Sequence, residues 1–328
     1  ALVMSLSLVT ISNAAFKDAD KISHDEAVTV MNAVGVLVGD NNGNFNAKDN
    51  LTRAQAAKIV SYLLLGNKTA EALAGSNKFS DVAKTNWAAG FIDYCATENI
   101  VAGVGNGQFA PEGQLTGYQF AKMLLVALGY DAKIEVFTGN DWQINVSKRA
   151  DQAGLFDDLD GINGNKVLTR DEAAQMAFNA LKSPLIEYEN KGGNLSVNGA
   201  EINIGATQPK YKTTSTARKD AQTIFANHDN NNVGAYIVEF AEQYYPKLVL
   251  TQTTDDFGRP AYQWSYEQKD LGTFPVKSQL LKSYIGEVTG RDLYDLLGKT
   301  VVEGAGKYTF YVSIDGVTDS KIDGELFN

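Results

Sequence analysis

The stretch LTRAQAAKIV, Leu51–Val60, decides how this chain is read, because it is written twice more. It returns as LTGYQFAKML at Leu115–Leu124 and as LTRDEAAQMA at Leu168–Ala177. The three threonines, Thr52, Thr116 and Thr169, are 64 and 53 residues apart. That is the length of a helical supersecondary unit repeated with variable loops.

Each threonine is followed three residues later by Gln55, Gln119 or Glu172. This predicts a capping box, in which the hydroxyl takes the third helical amide and the Gln or Glu reaches back to the threonine amide. The preceding Leu51, Leu115 and Leu168 are placed to staple onto Ala56, Phe120 and Ala173. Beyond the cap the apolar offsets repeat. Ile59, Met123 and Met176 come first, then Val60, Leu124 and Ala177, then Leu63 and Leu64, Ala127 and Leu128, Ala180 and Leu181. One helical face is thus written three times.

A second helix is expected before each cap. It carries Ala27, Val30, Met31 and Val34 in the first unit, Phe91, Ile92, Cys95 and Ala96 in the second, and Val146, Ala150 and Ala153 in the third. Turn-rich loops join the two helices: DNNGNFNAKDN, VGNGQFAPEGQ and DLDGINGNKV. Each unit reads as helix, glycine-rich loop, helix. The first two units open with Phe16-Lys17-Asp18 and Phe79-Ser80-Asp81, and Trp87 and Trp142 are expected to start the first helix of units two and three.

Most of this repetition is required by folding alone, but Arg53 and Arg170 are not. Each occupies the first helical position, where the macrodipole disfavours a cation by some tenths of a kcal/mol. A helix start with free backbone amides is an anion site, and an arginine beside it would add a planar fork for carboxylate or phosphate. The competing reading is an exposed arginine paired with a loop acid such as Asp49. In the second unit the position is Gly117, followed by Tyr118. The cap survives there and the charge does not, so two anion-competent grooves rather than three are expected.

The segments FKDAD, KFSDVAKTNWAAGFIDYCATENIVAGVGNGQFAPEGQLTGYQFAKML and LTRDEAA closely resemble S-layer homology domains. The resemblance covers roughly residues 15–183. It implies three helical units in a pseudo-threefold bundle that anchors a bacterial surface protein. It also implies grooves between units that bind an anionic, pyruvylated secondary cell-wall polysaccharide. Carried over by position, Arg53 and Arg170 become the carboxylate ligands. Asp18 and Asp81 line grooves or hold loops. Trp87 and Trp142 stack on sugars or pack between helices, and Lys58 and Lys122 are further ligand residues, with Gln175 at that place in unit three. Self-assembly into a surface lattice is a further implied property.

The rest of the chain fits that setting. The formal net charge of −10 and pI of about 4.8 argue against bulk attraction to nucleic acid or an anionic membrane. Residues 1–14 read as the remnant of a secretory signal peptide, with Ser12 and Ala14 before the cut. No stretch is apolar enough to span a bilayer. The single cysteine, Cys95, allows no internal disulfide and is expected to be a buried structural thiol. The loops from Asp40 and Asp157 invite a calcium reading, but neither has the full ligand ladder, and tight turns need the same residues. No cofactor is expected.

After Ser183-Pro184 the helical repeat stops. NLSVNGAEINIG reads as a hairpin around Asn198-Gly199, and AYIVEF, KLVLTQTT, AYQWSY and KYTFYVSIDG as strands. TARKDAQTIFAN and the stretch from Thr289 to Gly298 read as helices. The expected organisation is α+β: the signal remnant 1–14, repeats at 15–66, 78–128 and 129–183, and a separate mixed, mainly β surface-displayed domain at 185–328. With only His24 and His228, imidazole triads and multi-histidine metal sites are nearly excluded. The expected function is non-catalytic wall anchoring. The alternative is a wall-anchored glycan hydrolase with a carboxylate pair in 185–328.

Overall fold

The computed structural model describes residues 16–159, 161–197, 200–214, 236–255, 260–276, 309–314 and 317–323. The signal-like run, the two helices expected near residues 216–227 and 289–298, and the Asn198-Gly199 turn itself lie outside them. The helices are α1 (Asp25–Ala33), α2 (Arg53–Leu65), α3 (Asn67–Ala70), α4 (Ala89–Thr97), α5 (Gly117–Ala127), α6 (Trp142–Gln152), α7 (Arg170–Lys182) and α8 (Phe240–Tyr244). With several small sheets they make the chain α+β.

The three repeated threonines cap α2, α5 and α7, and all three capping boxes are formed in both directions. Thr52 Oγ1 accepts the Gln55 amide at 3.2 Å, and Gln55 Oε1 accepts the Thr52 amide at 3.1 Å. Each such cap is worth about 1 kcal/mol. The repeated apolar offsets are buried, except that Leu64 is only half-buried. Cys95 is fully buried, and burial pushes its thiol up to about 12, so it is inert at neutral pH.

The three leucines that precede the caps meet each other. Leu51 N–H donates to the Leu168 carbonyl at 2.9 Å, Leu168 N–H to Leu115 at 2.9 Å, and Leu115 N–H to Leu51 at 3.1 Å. This is a closed ring of three backbone hydrogen bonds, with all three side chains at most 1% exposed. The helices pack cyclically as well. α4 packs on α2, α6 on α5, and α1 on α7. The first helix of each repeat therefore docks on the capped helix of the repeat before it, rather than closing a hairpin within its own unit. The long intervening loops make this exchange feasible, because they carry the chain from one neighbour to the next.

Those loops are pinned by the opening aspartates. Asp18 accepts the amides of Phe45 and Asn46 at 2.7 and 2.8 Å, and Asp81 accepts those of Phe109 and Ala110 at 2.8 and 2.7 Å. Phe16 lies 5.2 Å from Phe45, and Phe79 lies 5.3 Å from Phe109, centroid to centroid. Of the two roles open to these acids, holding loops is the one the geometry fills.

The second half departs from expectation at its boundary. Described residues up to Leu250, together with Trp264–Leu271, form one compact unit with the repeats, while 251–255, 260–263 and 272–276 and the last two strands group apart. Packing is therefore unbroken at Pro184. Ile186 N–H donates to Leu128, and Phe240 N–H to Ser183. The Tyr245 hydroxyl donates to the carbonyls of Tyr62 and Leu63 at 2.9 and 3.2 Å. Trp264 lies against Phe178 and gives its indole N–H to Glu26 at 2.7 Å.

Strand β1 (Ile186–Glu187) pairs with β4 (Lys210–Tyr211), and β2 (Gly193–Val197) with β3 (Ala200–Ile204) in the expected hairpin register, Val197 opposite Ala200. Among its described residues AYIVEF is strand over Tyr236–Ile237, where β6 pairs with β5 (Thr213–Thr214). Phe240 then opens α8, because Glu239 and Glu242 form a capping box there. Strands β7 (Leu248–Thr254), β8 (Pro260–Tyr266) and β9 (Lys269–Pro275) form a sheet in that order, and β10 (Thr309–Ile314) pairs antiparallel with β11 (Val317–Asp323).

Candidate functional site

The helix starts are not open anion sites. The first two amides of each capped helix donate to the loop of the next repeat. Arg53 and Ala54 reach Gly113 and Pro111, Gly117 and Tyr118 reach Lys166 and Gly164, and Arg170 and Asp171 reach Asp49 and Ala47. Threonine takes the third amide. Any anion must therefore be held by side chains, which corrects the expectation of free amides beside the arginines.

The arginines follow the same rotation. Arg53 Nε donates to the Phe109 carbonyl and one terminal nitrogen to Ala102, both at 2.8 Å, with the guanidinium 4.4 Å from the Phe109 ring. Arg170 Nε donates to Phe45 at 2.9 Å and a terminal nitrogen to Val38 at 3.2 Å, stacked 5.1 Å from Phe45. Each arginine clamps the glycine-rich loop of a neighbouring repeat. Among the described residues neither forms an ion pair, and Asp49 meets Arg170 through its backbone carbonyl instead. Burial lowers both guanidinium pKa values, with nearby aspartates opposing it.

At Gly117 the third loop packs close enough to crowd any side chain. A Cβ on Gly117 would stand 3.1 Å from the Gly164 Cα, and a Cβ on Gly164 would stand 2.5 Å from the Tyr118 ring. Tyr118, packed edge-on against Phe156, covers this loop where arginine holds the other two.

A cleft of about 270 Å³ takes Arg53 from repeat one, the loop Ile100–Val104 with Gln119 and Lys122 from repeat two, and Phe137, Thr138 and Trp142 from repeat three. The Lys122 ammonium lies 6.0 Å from the Trp142 ring centroid. It has no carboxylate partner among the described residues, and burial lowers its pKa. Arg53, Lys122 and Trp142, proposed separately from the sequence, thus share one site.

By repeat correspondence, the residues matching Arg53, Lys122 and Trp142 one repeat round are Arg170, Lys58 and Trp87. Arg170 clamps the first loop, and Lys58 lies 6.0 Å from the ring of Trp87, which is more than half exposed. Trp87 precedes α4 by two residues rather than starting it. Here Lys58 is ion-paired with Glu71 at 3.0 Å, and the Tyr62 hydroxyl donates to the same carboxylate. Sequence reasoning missed Glu71 and Tyr62. The signal was the replacement of Tyr62 by Val126 at the matching place in repeat two.

The third cleft, about 250 Å³, is lined by Gly161, Ile162, Asn163, Lys166, Glu172 and His24, among others. His24 Nδ1 lies 2.9 Å from the buried Asp171 carboxylate. Burial raises the Asp171 pKa, but the bonds to His24 and Ser23 outweigh it and leave it lowered.

Three further acids are spent on structure. Asp40 accepts the amides of Asn42 and Asn44 and the side chain of Asn46, and its carboxyl falls to about 2, chiefly through the Asn44 amide. Glu239 and Glu242, both buried, take each other's backbone amides at the head of α8. No described helix is long and apolar enough to cross a membrane.

The S-layer homology domain family matches residues 15–57 and 78–121. The chain is 27% identical over 197 residues to a middle cell wall protein of Brevibacillus brevis, a match covering 60% of this chain and 18% of that protein. It is 28% identical over 252 residues to a cell surface protein of Thermoanaerobacter kivui, covering 74% of this chain and 31% of that one. It is 30% identical over 171 residues to the exoglucanase XynX of Acetivibrio thermocellus, covering 50% and 14%. The chain thus spans under a third of the length of each of these relatives.

Proposed function

We propose that this S-layer homology domain protein of the bacterial cell surface anchors itself by holding an acidic sugar of a cell-wall polysaccharide in the clefts between its repeats. The three repeats act as one pseudo-threefold bundle, supported by the leucine ring and the cyclic helix packing. A pyruvylated sugar suits the Arg53 cleft. Its carboxylate meets Arg53 and Lys122, and its ring face lies on Trp142. Residues beyond the anchor are displayed at the surface, where copies assemble.

One observation carries the reading. Arg53 and Lys122 are two half-buried cations lining a single cleft, with no carboxylate paired to either among the described residues. Desolvated charge without a partner is costly, and an entering anion offsets that cost. Asp81, the nearest acid acting on Arg53, is committed to the loop amides.

Co-sedimentation with purified wall sacculi tests this, with and without the polysaccharide fraction and with and without removal of its pyruvyl groups. Lys122→Met should weaken polysaccharide-dependent binding about tenfold or more, as expected for losing a charge-assisted contact. Equal binding by the folded variant would remove the cleft from the function. The alternative of a wall-anchored glycan hydrolase predicts instead that sacculi release soluble sugars over time.

A further inference from the structure

The Arg53 and Arg170 sites are built on the same plan, yet their charges differ. α2 and α5 align so that Lys58 matches Lys122, Trp87 matches Trp142, and Tyr62 matches Val126. α2 is followed by the short helix α3, whereas α5 is followed by the turn at 132–136, whose Glu135 pairs with Arg149 instead of Lys122. α2 stops at Gly66, whose φ is 72°, and α3 then carries the chain back so that Glu71 lies over α2. Glu71 Oε1 takes Lys58 Nζ at 3.0 Å and the Tyr62 hydroxyl. The Lys58 ammonium is also ringed by Tyr62, Phe91 and Trp87 at 5.0, 5.4 and 6.0 Å.

We propose that Glu71 is an internal competitor for the ligand carboxylate at the Arg170 site, so that the two arginine sites are unequal and the Arg53 cleft fills first. The inference rests on the anchoring function above. At the Arg53 cleft, Arg53 and Lys122 present two positive charges. At the corresponding Arg170 site the lysine counterpart, Lys58, is neutralised by Glu71, while aspartates act on both arginines, Asp81 on Arg53 and Asp49, Asp18 and Asp40 on Arg170. A ligand carboxylate must either displace Glu71 from Lys58 or bind Arg170 alone. The Tyr62 hydroxyl holds Glu71 in place, which Val126 could not do in repeat two. The pKa directions agree. Burial pulls Lys58 down, but Tyr62 and Glu71 outweigh it, whereas nothing offsets burial at Lys122. Glu71 is itself more than half exposed, so solvent screens the competition and its effect is modest.

Calorimetry with a synthetic hexosamine glycoside carrying a pyruvate ketal tests the order of sites, with the ketal methyl ester as the uncharged control. Lys122→Met silences the stronger cleft and exposes the weaker one. In that background Glu71→Gln should tighten binding of the acid roughly three-fold and leave the ester unchanged. Tyr62→Phe should move affinity the same way by less. No gain in either variant would overturn the inference while leaving the anchoring function standing.

Should the glycoside fail to bind wild type, the anchoring function fails, and a ligand-free readout still decides about Glu71. Trinitrobenzenesulfonate, an anionic amine reagent, should modify Lys122 faster than Lys58. Glu71→Gln should speed Lys58 and leave Lys122 unchanged. Equal rates at the two lysines, or no response to Glu71→Gln, would overturn the competitor role.

Discussion

Arg53→Ala should destabilise the fold as well as weaken binding, and the size of that loss follows from its contacts. The side chain gives two hydrogen bonds of 2.8 Å to the carbonyls of Phe109 and Ala102 and stacks at 4.4 Å on Phe109. A hydrogen bond from a charged donor contributes about 1.5 kcal/mol at the low end, which suits a half-buried group. Cation–π stacking adds about 0.5–1 kcal/mol. Some of this returns as freedom of the released loop, leaving a loss of about 2–3 kcal/mol. For a unit of this size that lowers the melting temperature by about 4–12 °C. Urea and thermal denaturation measure the global effect, and amide exchange across Ala102–Ala110 measures the local one. Arg53→Lys keeps the charge without the planar fork and should recover less than half of the loss. A variant within about 0.5 kcal/mol of wild type, with loop protection unchanged, would refute the clamp. The arginine would then be free for ligand alone.

Lys122→Met should behave in the opposite way. It removes a half-buried cation with no carboxylate partner among the described residues, so stability is unchanged or rises by up to about 1 kcal/mol, while sacculus binding falls; a clear loss of stability in urea would show that Lys122 has a structural partner after all. Glu26→Gln tests a pH linkage. Burial raises the Glu26 pKa against the opposing bond from Trp264 and the charge of Lys182. The folded state therefore holds its proton above the usual carboxylate range, and stability from this group is present at acid pH and lost as pH rises through the raised value. The glutamine variant, which can still accept the indole N–H, should be more stable than wild type at pH 7, with the advantage shrinking towards pH 4; a constant difference across that range would refute the linkage. Tyr245→Phe removes the donor to the carbonyls of Tyr62 and Leu63 and should cost about 1–2 kcal/mol in urea denaturation, against no change if the contact is idle.

What could be read from the sequence is what is local. A capping box needs a threonine and a Gln or Glu at fixed spacing, and all three formed where the spacing put them. Periodic apolar residues identified the buried faces of α2, α5 and α7. Packing partners were not legible, because nothing in a helical period says which neighbour its apolar face meets. The exchange of first helices between repeats went unforeseen for that reason. So did the attachment of Tyr245 and Trp264, whose hydrogen bonds join residues far apart in the chain. AYIVEF shows a competition decided locally. Its β-branched residues favour strand, but Glu239 and Glu242 box an α-helical turn, and strand ends at Ile237. Arg53, Lys122 and Trp142 were visible one at a time as repeated positions, while their convergence depended on the rotation between repeats.

That rotation changes what the missing arginine means. Repeat two has Gly117 in its capping segment, and counted along the chain, repeat two is the one that lacks the arginine. In space, the residue at this position serves the loop of the repeat that follows. Arg53 of repeat one completes the cleft of the second loop, and Arg170 of repeat three clamps the first. Gly117 therefore strips the arginine from the cleft of the third loop, where Gly164 has moved in and Tyr118 lies over it. Repeat two itself, with Lys122 and Gln119, retains a cleft supplied with an arginine by its neighbour. No single repeat owns a complete site. Moving one repeat into another protein would carry over a cap, a loop and a lysine, but neither the arginine nor the aromatic face that completes its cleft.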